Sequence, residues 1–219
     1  MDSMIVEIEL TLISIIQGVA LTFLIERARD VASLRSAIFW PYIVAGLLVI
    51  FIFWSRSVLH IMTVIRWPLE FGHNFLYISC ALVEAVLFTR LTSPAAWFAL
   101  SALFGVVGWT LFTYDLRLIY AREVDSAGPA SNQLIAIVKK DQWMNIVLLI
   151  PAVSLGNLFC FLCIRRWPGF FLDRHFHVYL AALQVAGFTV YLLYVIKHLR
   201  RVAPLVVRAR AEWRSTPEV

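Results

Sequence analysis

Six stretches of mostly apolar residues recur along the chain, and each is long enough to cross a bilayer. A hydrocarbon core of roughly 30 Å is spanned by about 20 helical residues. The stretches fall at about 5–25, 37–54, 72–89, 95–117, 143–164 and 176–196. None shows the polar–apolar alternation of a membrane barrel strand, so helices are the form in which the backbone can satisfy its own hydrogen bonds in lipid. Pro41 and Pro151 fall within or at the start of spans, where neighbouring helices tolerate them. The sequence therefore predicts an all-α fold, a polytopic transmembrane bundle of about six spans. Residues 1–219 form a single transmembrane domain, with 197–219 as a basic cytoplasmic tail. Charged residues are 15% of the 219, against about 25% in soluble domains, too few to cover a water-facing surface. The longest polar connection is 121–142, which leaves no room for a separate soluble catalytic domain.

Six of the eight tryptophans (Trp40, Trp54, Trp67, Trp97, Trp143, Trp167) lie near expected span ends, where indoles settle at headgroup level. The N-terminus carries Asp2, Glu7 and Glu9 rather than the basic region of a secretory signal, so the first span is expected to be retained. Twelve Lys and Arg fall on the side shared by both termini and seven on the other. By the positive-inside rule both termini are expected in the cytoplasm.

Arg66-Trp67-Pro68 recurs as Arg166-Trp167-Pro168, and the offset of one hundred also pairs Phe71 with Phe171, Ala81 with Ala181 and Phe88-Thr89 with Phe188-Thr189. Glu84 then falls opposite Gln184. A duplication of three plus three spans would give halves of inverted topology, as in many transporters. The competing reading is chance similarity between apolar helices that share a Trp-Pro ending. Cys160 and Cys163 form a CxxC inside an apolar span, where small hydrophobic packing is the expected role.

Polar residues at membrane depth are costly, so their positions carry the functional information. In the first span Glu7, Thr11, Ser14, Gly18 and Thr22 are spaced by 4, 3, 4 and 4, which puts them on one helical face with Gln17 beside it. This face could line an aqueous path or let helices approach closely. Glu84 sits mid-span with no basic neighbour in sequence. Coupled to Gln17, Asn157 or Gln184 it would make a proton or cation site; alternatively it makes an interhelical hydrogen bond. Ser101, Gly105 and Gly108 form a small face suited to close packing. Asp115 and Arg117, at the end of the fourth span, are expected to reach the interface.

His60, His73, His175, His177 and His198 all lie at or beyond span ends, in no spacing that suggests haem, and no metal site or cofactor motif is present. No catalytic residues are assigned, and the chain is not expected to be an enzyme. In the tail, Lys197, Arg200, Arg201, Arg208, Arg210 and Arg214 accompany an apolar stripe of Leu199, Val202, Val206, Ala209 and Trp213. The stripe could lie on anionic lipid or pack on a partner helix, with Arg200, Arg201, Arg208 and Arg210 as contacts. Pro204 is expected to weaken it as a continuous helix. The positive-inside bias explains these charges without nucleic acid.

The layout resembles one family. Six such helices, Gln17-Gly18-Val19 in the first, Trp54 closing the second with His60 beyond, and Asn74 and Phe88-Thr89 bounding the third are similar to prokaryotic relatives of the lysosomal potassium channel. The resemblance implies a channel without a conventional selectivity loop, its first helix lining the pore of a tetramer, in a bacterial cytoplasmic membrane. The hallmark of that family, an arginine followed by Phe-Ser-Asp, is absent: Thr11, Ile15, Ile16 and Gln17 stand in those places. No filter residue is therefore carried over.

Three functions follow as expectations. The first is transport, by a cation channel or small carrier, with Glu7, Thr11, Ser14, Gln17, Glu84, Asn157 and Gln184 near the pathway. The second is a non-transporting subunit, scaffold or effector that acts through partners, by way of the tail or the 121–142 connection. The third is an intramembrane enzyme or haem carrier, which the lack of clustered His, Asp or Ser disfavours. The bilayer itself is the implied partner, with a homo-oligomer or a membrane complex beyond it.

Overall fold

The computed structural model describes residues 2–33, 37–63, 71–123 and 128–215. Within these the chain forms seven helices and no strand: α1 (Asp2–Ser33), α2 (Trp40–Thr63), α3 (Phe71–Phe88), α4 (Pro94–Glu123), α5 (Pro129–Met144), α6 (Ile150–Arg166) and α7 (His177–Ser215). A π-helical turn, Asn145–Leu149, joins α5 to α6, so Pro129–Arg166 is one long span. Six helical segments are long and apolar enough to cross a membrane. The protein is an integral membrane protein with an all-α bundle.

Several helices outrun the apolar stretches. The second predicted span stops at 54, yet α2 continues to Thr63. The 121–142 connection is mostly helical, because α4 runs to Glu123 and α5 starts at Pro129. Hydropathy falls at the first charged residue, whereas a helix continues wherever neighbours shelter that charge. The consequence is functional: Arg56, His60, Asp115 and Asp141 are drawn inside the bundle.

Residues 197–215 continue the last membrane helix. α7 is 39 residues long and passes through Pro204 without stopping. At 1.5 Å per residue it measures about 58 Å, well beyond the hydrocarbon thickness. Val202, Val206 and Ala209 pack with Leu134, Ile135 and Val138 of α5 and Ile119 of α4. Leu199, Val202, Val206 and Ala209 of the apolar stripe are thus covered by the chain's own helices, and Arg200, Arg201 and Arg208 point outward. Glu212 fixes the far end of this contact. Its carboxylate accepts from the backbone N–H groups of Ala130 and Ser131 at 2.9 Å each, capping α5, which has no capping side chain of its own.

Helix pairing is set by α4 against α6 and α3, α2 against α7, α5 against α7, and α1 against α2 and α3. Gly105 lets α4 approach α6; a Cβ there would lie 2.1 Å from Ser154 Oγ. Gly46 does the same where Leu24 and Phe88 cross α2. Trp40, Trp54, Trp143 and Trp167 are 41–54% exposed, as interfacial anchors should be. Trp97 is not: it is fully buried among Tyr42, Phe88 and Phe98. A polar partner for its indole N–H makes that burial affordable, as described below. The first copy of the Arg-Trp-Pro element, 66–68, lies outside the described residues; the second closes α6 and leads through a π-helical turn, Gly169–Asp173, into α7.

Candidate functional site

The densest polar cluster lies where the C-terminal ends of α2 and α4 meet the N-terminal end of α3 and the length of α5. Arg56 and His60 are four residues apart on α2, so one helical face presents both. On α4, Asp115 follows Leu111 and Phe112 along a buried stripe. Asp141 and Gln142 are buried at the C-terminal end of α5, and Asn145 is buried in the π-helical turn that follows. The six polar residues are each at most 5% exposed.

Asp115 sits between two histidines. His73 Nδ1 lies 2.6 Å from its Oδ1 and His60 Nδ1 2.7 Å from its Oδ2. The His73 contact is a hydrogen bond and so holds a proton between the two atoms, while His60 faces Asp115 as a close ion-pair contact. Gln142 extends the chain. Its Nε2 donates to the Phe112 carbonyl at 2.7 Å, which turns Oε1 toward His60 Nε2 at 3.1 Å. His60 therefore faces acceptors with both ring nitrogens.

A second centre adjoins it. Arg56 Nη2 is 2.7 Å from Asp141 Oδ2, with 3% and 2% of the side chains exposed. The guanidinium lies 4.9 Å over the Phe112 ring. Tyr194 of α7 donates to Asp141 Oδ1 at 2.5 Å, and His198 Nδ1 stands 3.9 Å from the same oxygen. Tyr191 donates to Asn145 Oδ1, whose Nδ2 donates to the Asp141 carbonyl. Arg56 Nε and Nη1 have no acceptor among the described residues. Exposed Trp54 and Trp143 are each two residues from this pair, so it lies at interfacial level but inside the protein.

Deeper in the bundle, His73, Tyr77, Cys80 and Glu84 share one buried face of α3. From His73 to Glu84 is eleven residues, about 16 Å along the axis and more than half the hydrocarbon thickness. Glu84 is fully buried and takes one hydrogen bond, from Gln17 Nε2 of α1 to its Oε2 at 3.3 Å. No basic side chain meets it among the described residues.

The sequence-derived candidates separate into three groups. Gln17 and Glu84 come together as expected. Asn157 and Gln184 join each other instead: Gln184 Nε2 donates to Asn157 Oδ1 at 2.7 Å, while its Oε1 accepts the Trp97 indole N–H at 2.8 Å. That network ties α4, α6 and α7 and leaves Glu84 apart. Glu7, Thr11, Ser14, Gly18 and Thr22 are exposed, facing away from α2 and α3, and the three hydroxyls donate to the carbonyl four residues back. Arg210 is half-buried, unlike the outward Arg200, Arg201 and Arg208.

Asp115 does not turn outward as expected. It is 2% exposed and held by two histidines, because α3 and the extended end of α2 close over it. Sequence reading missed His60, His73, Arg56, Asp141 and Gln142, all at ends where charge is ordinarily attributed to solvent. The available signal was the i, i+4 spacing of Arg56 and His60 just beyond an apolar run. The described residues contain no group of three or more His, Cys, Asp or Glu arranged to hold a metal ion. No protein-family model, curated protein or solved structure matches the chain.

Proposed function

We propose that this protein transports protons or alkali cations across the membrane, along the buried polar face of α3. The observation that carries the reading is Asp115 clamped between His60 and His73 inside the bundle, with Tyr77 and Glu84 continuing the same face inward. Chains of Asp, Glu and His within membrane helices mark ion paths and proton relays. A passive anchor has no use for a carboxylate at Glu84 that no basic group compensates. Its charge must be balanced by a proton or by a cation that arrives with it. Exchange of that partner is the elementary event of transport, and the Asp115 cluster gives it a route from the side of the termini, which we place in the cytoplasm by the Lys and Arg bias.

The decisive experiment is flux into liposomes. Purified protein should dissipate an imposed proton or cation gradient, and Asp115→Asn and Glu84→Gln should each slow that dissipation by about tenfold or more. No flux under any gradient overturns the reading in favour of a non-transporting subunit.

One observation favours a second arrangement, in which several copies surround a pore lined by α1. The Glu7–Thr22 face is polar, small and exposed in the single chain. Cysteines placed at Ser14 and Gly18 would cross-link between copies in native membranes if this arrangement forms.

A further inference from the structure

The geometry points to a binding site for one dehydrated monovalent cation between α1, α2 and α3, formed by Glu84 Oε1, Gln17 Oε1, Tyr77 Oη and Ser57 Oγ. It deepens the transport reading, on which its physiological role rests, but it can be tested by binding alone.

Gln17, Tyr77 and Glu84 are 4%, 4% and 0% exposed, and each has an oxygen without a directed hydrogen-bond partner among the described residues. Buried polar atoms in folded proteins are overwhelmingly paired, and exceptions mark strain or a bound water or ion. These three are neighbours. Gln17 uses its Nε2 on Glu84 Oε2, which leaves its Oε1 as an acceptor beside that bond. The Tyr77 hydroxyl has Gln17 and Ser57 as its neighbouring polar side chains. Ser57 donates its own proton to the Phe53 carbonyl at 2.8 Å, so the lone pairs of its Oγ remain available. Three helices therefore bring four oxygens into one buried neighbourhood.

The donor set defines the ligand. Four oxygens and no nitrogen make a hard site, suited to alkali or alkaline-earth cations rather than to transition metals. One carboxylate supplies one negative charge, which balances a monovalent ion. Calcium and magnesium draw on more carboxylates or keep several waters, and this set offers one carboxylate. A water beside a protonated Glu84 is the competing occupant, and binding of labelled sodium separates the two.

The test is equilibrium binding of radiolabelled sodium to the full chain in lipid nanodiscs at neutral to mildly alkaline pH, with choline as the inert control and with lithium and potassium as competitors. Saturable binding of one ion per chain is expected. Glu84→Gln should abolish it, and Gln17→Leu and Tyr77→Phe should each weaken it by about tenfold or more, the equivalent of one lost ligand. Tyr77→Phe keeps the ring in place, and thermal melts of all variants establish that they fold. Absence of saturable binding of any of the three ions, or binding unchanged in Glu84→Gln, overturns the site. Proton flux without cation binding would remove the site and leave the transport reading standing. Binding without flux would do the reverse.

Discussion

Asp115 and His73 meet at 2.6 Å across the contact between α3 and α4, forty-two residues apart in the chain. The pair converts two residues at helix ends into the entrance of a buried polar face. His73 opens the α3 stripe that Tyr77 and Glu84 continue, and Asp115 connects that stripe to His60 and, through Gln142, to the backbone of α4.

Replacing Asp115 by Asn removes the charge that both histidines face while keeping the shape. In reconstituted vesicles we expect proton or cation flux to fall by about tenfold or more, a rise of ~1.4 kcal/mol in the barrier. His73→Gln should act in the same direction, since it cuts the contact to α3. Flux equal to wild type in both variants would separate this cluster from the pathway.

The Arg56–Asp141 pair is predicted to behave as a buried ion pair. Arg56→Met or Asp141→Leu alone leaves an uncompensated charge in the bundle and should destabilise it by about 3–5 kcal/mol. The double variant should recover most of that loss, because two apolar groups replace two charges. Thermal unfolding in detergent of the two singles and the double reads the coupling. Additive losses would mean that the two residues do not act as a pair.

Glu212 holds the N-terminus of α5 from the end of α7. Glu212→Ala should cost ~1 kcal/mol, the usual loss on removing a helix cap. Amide hydrogen exchange should accelerate at Ala130 and Ser131, the two residues whose N–H groups it accepts. Exchange unchanged there would mean that the cap contributes nothing.

Close approach of α4 and α6 rests on Gly105. Its substitution by Ala places a methyl group against Ser154, 2.1 Å from Oγ and 3.1 Å from Cβ, and should destabilise by about 1–3 kcal/mol as overpacking does. Gly18→Ala meets nothing within 4 Å and should leave the melting temperature unchanged. Ser154→Ala in the Gly105→Ala background should restore part of the loss. Equal melting temperatures for the Gly105 and Gly18 variants would overturn this packing.

Among the candidate residues, Gln17 and Glu84 were legible because each interrupts an apolar run, while their burial depends on the helices packed against them. Asn157 and Gln184 were legible as buried polar groups, but their pairing with each other and with Trp97 was not, since the three lie on different helices. The α1 stripe was legible as a face. Its outward direction depends on which side α2 and α3 occupy, and the better-buried face proves to be Ile13, Gln17, Ala20 and Leu24.

By itself the sequence determined the medium, the helical form and the approximate places of six spans, because bilayer thickness and backbone hydrogen bonding admit few other solutions. Tertiary structure decided where the charges go. Arg56, His60, His73, Asp115 and Asp141 follow or precede apolar runs, and nothing local separates a side chain that turns to water from one that turns inward. Packing of α2, α3, α4 and α5 at one end of the bundle supplies each with its opposite charge or hydrogen-bond partner. A charge is stable in the interior only when those partners are present, and partners from four helices are a property of the fold.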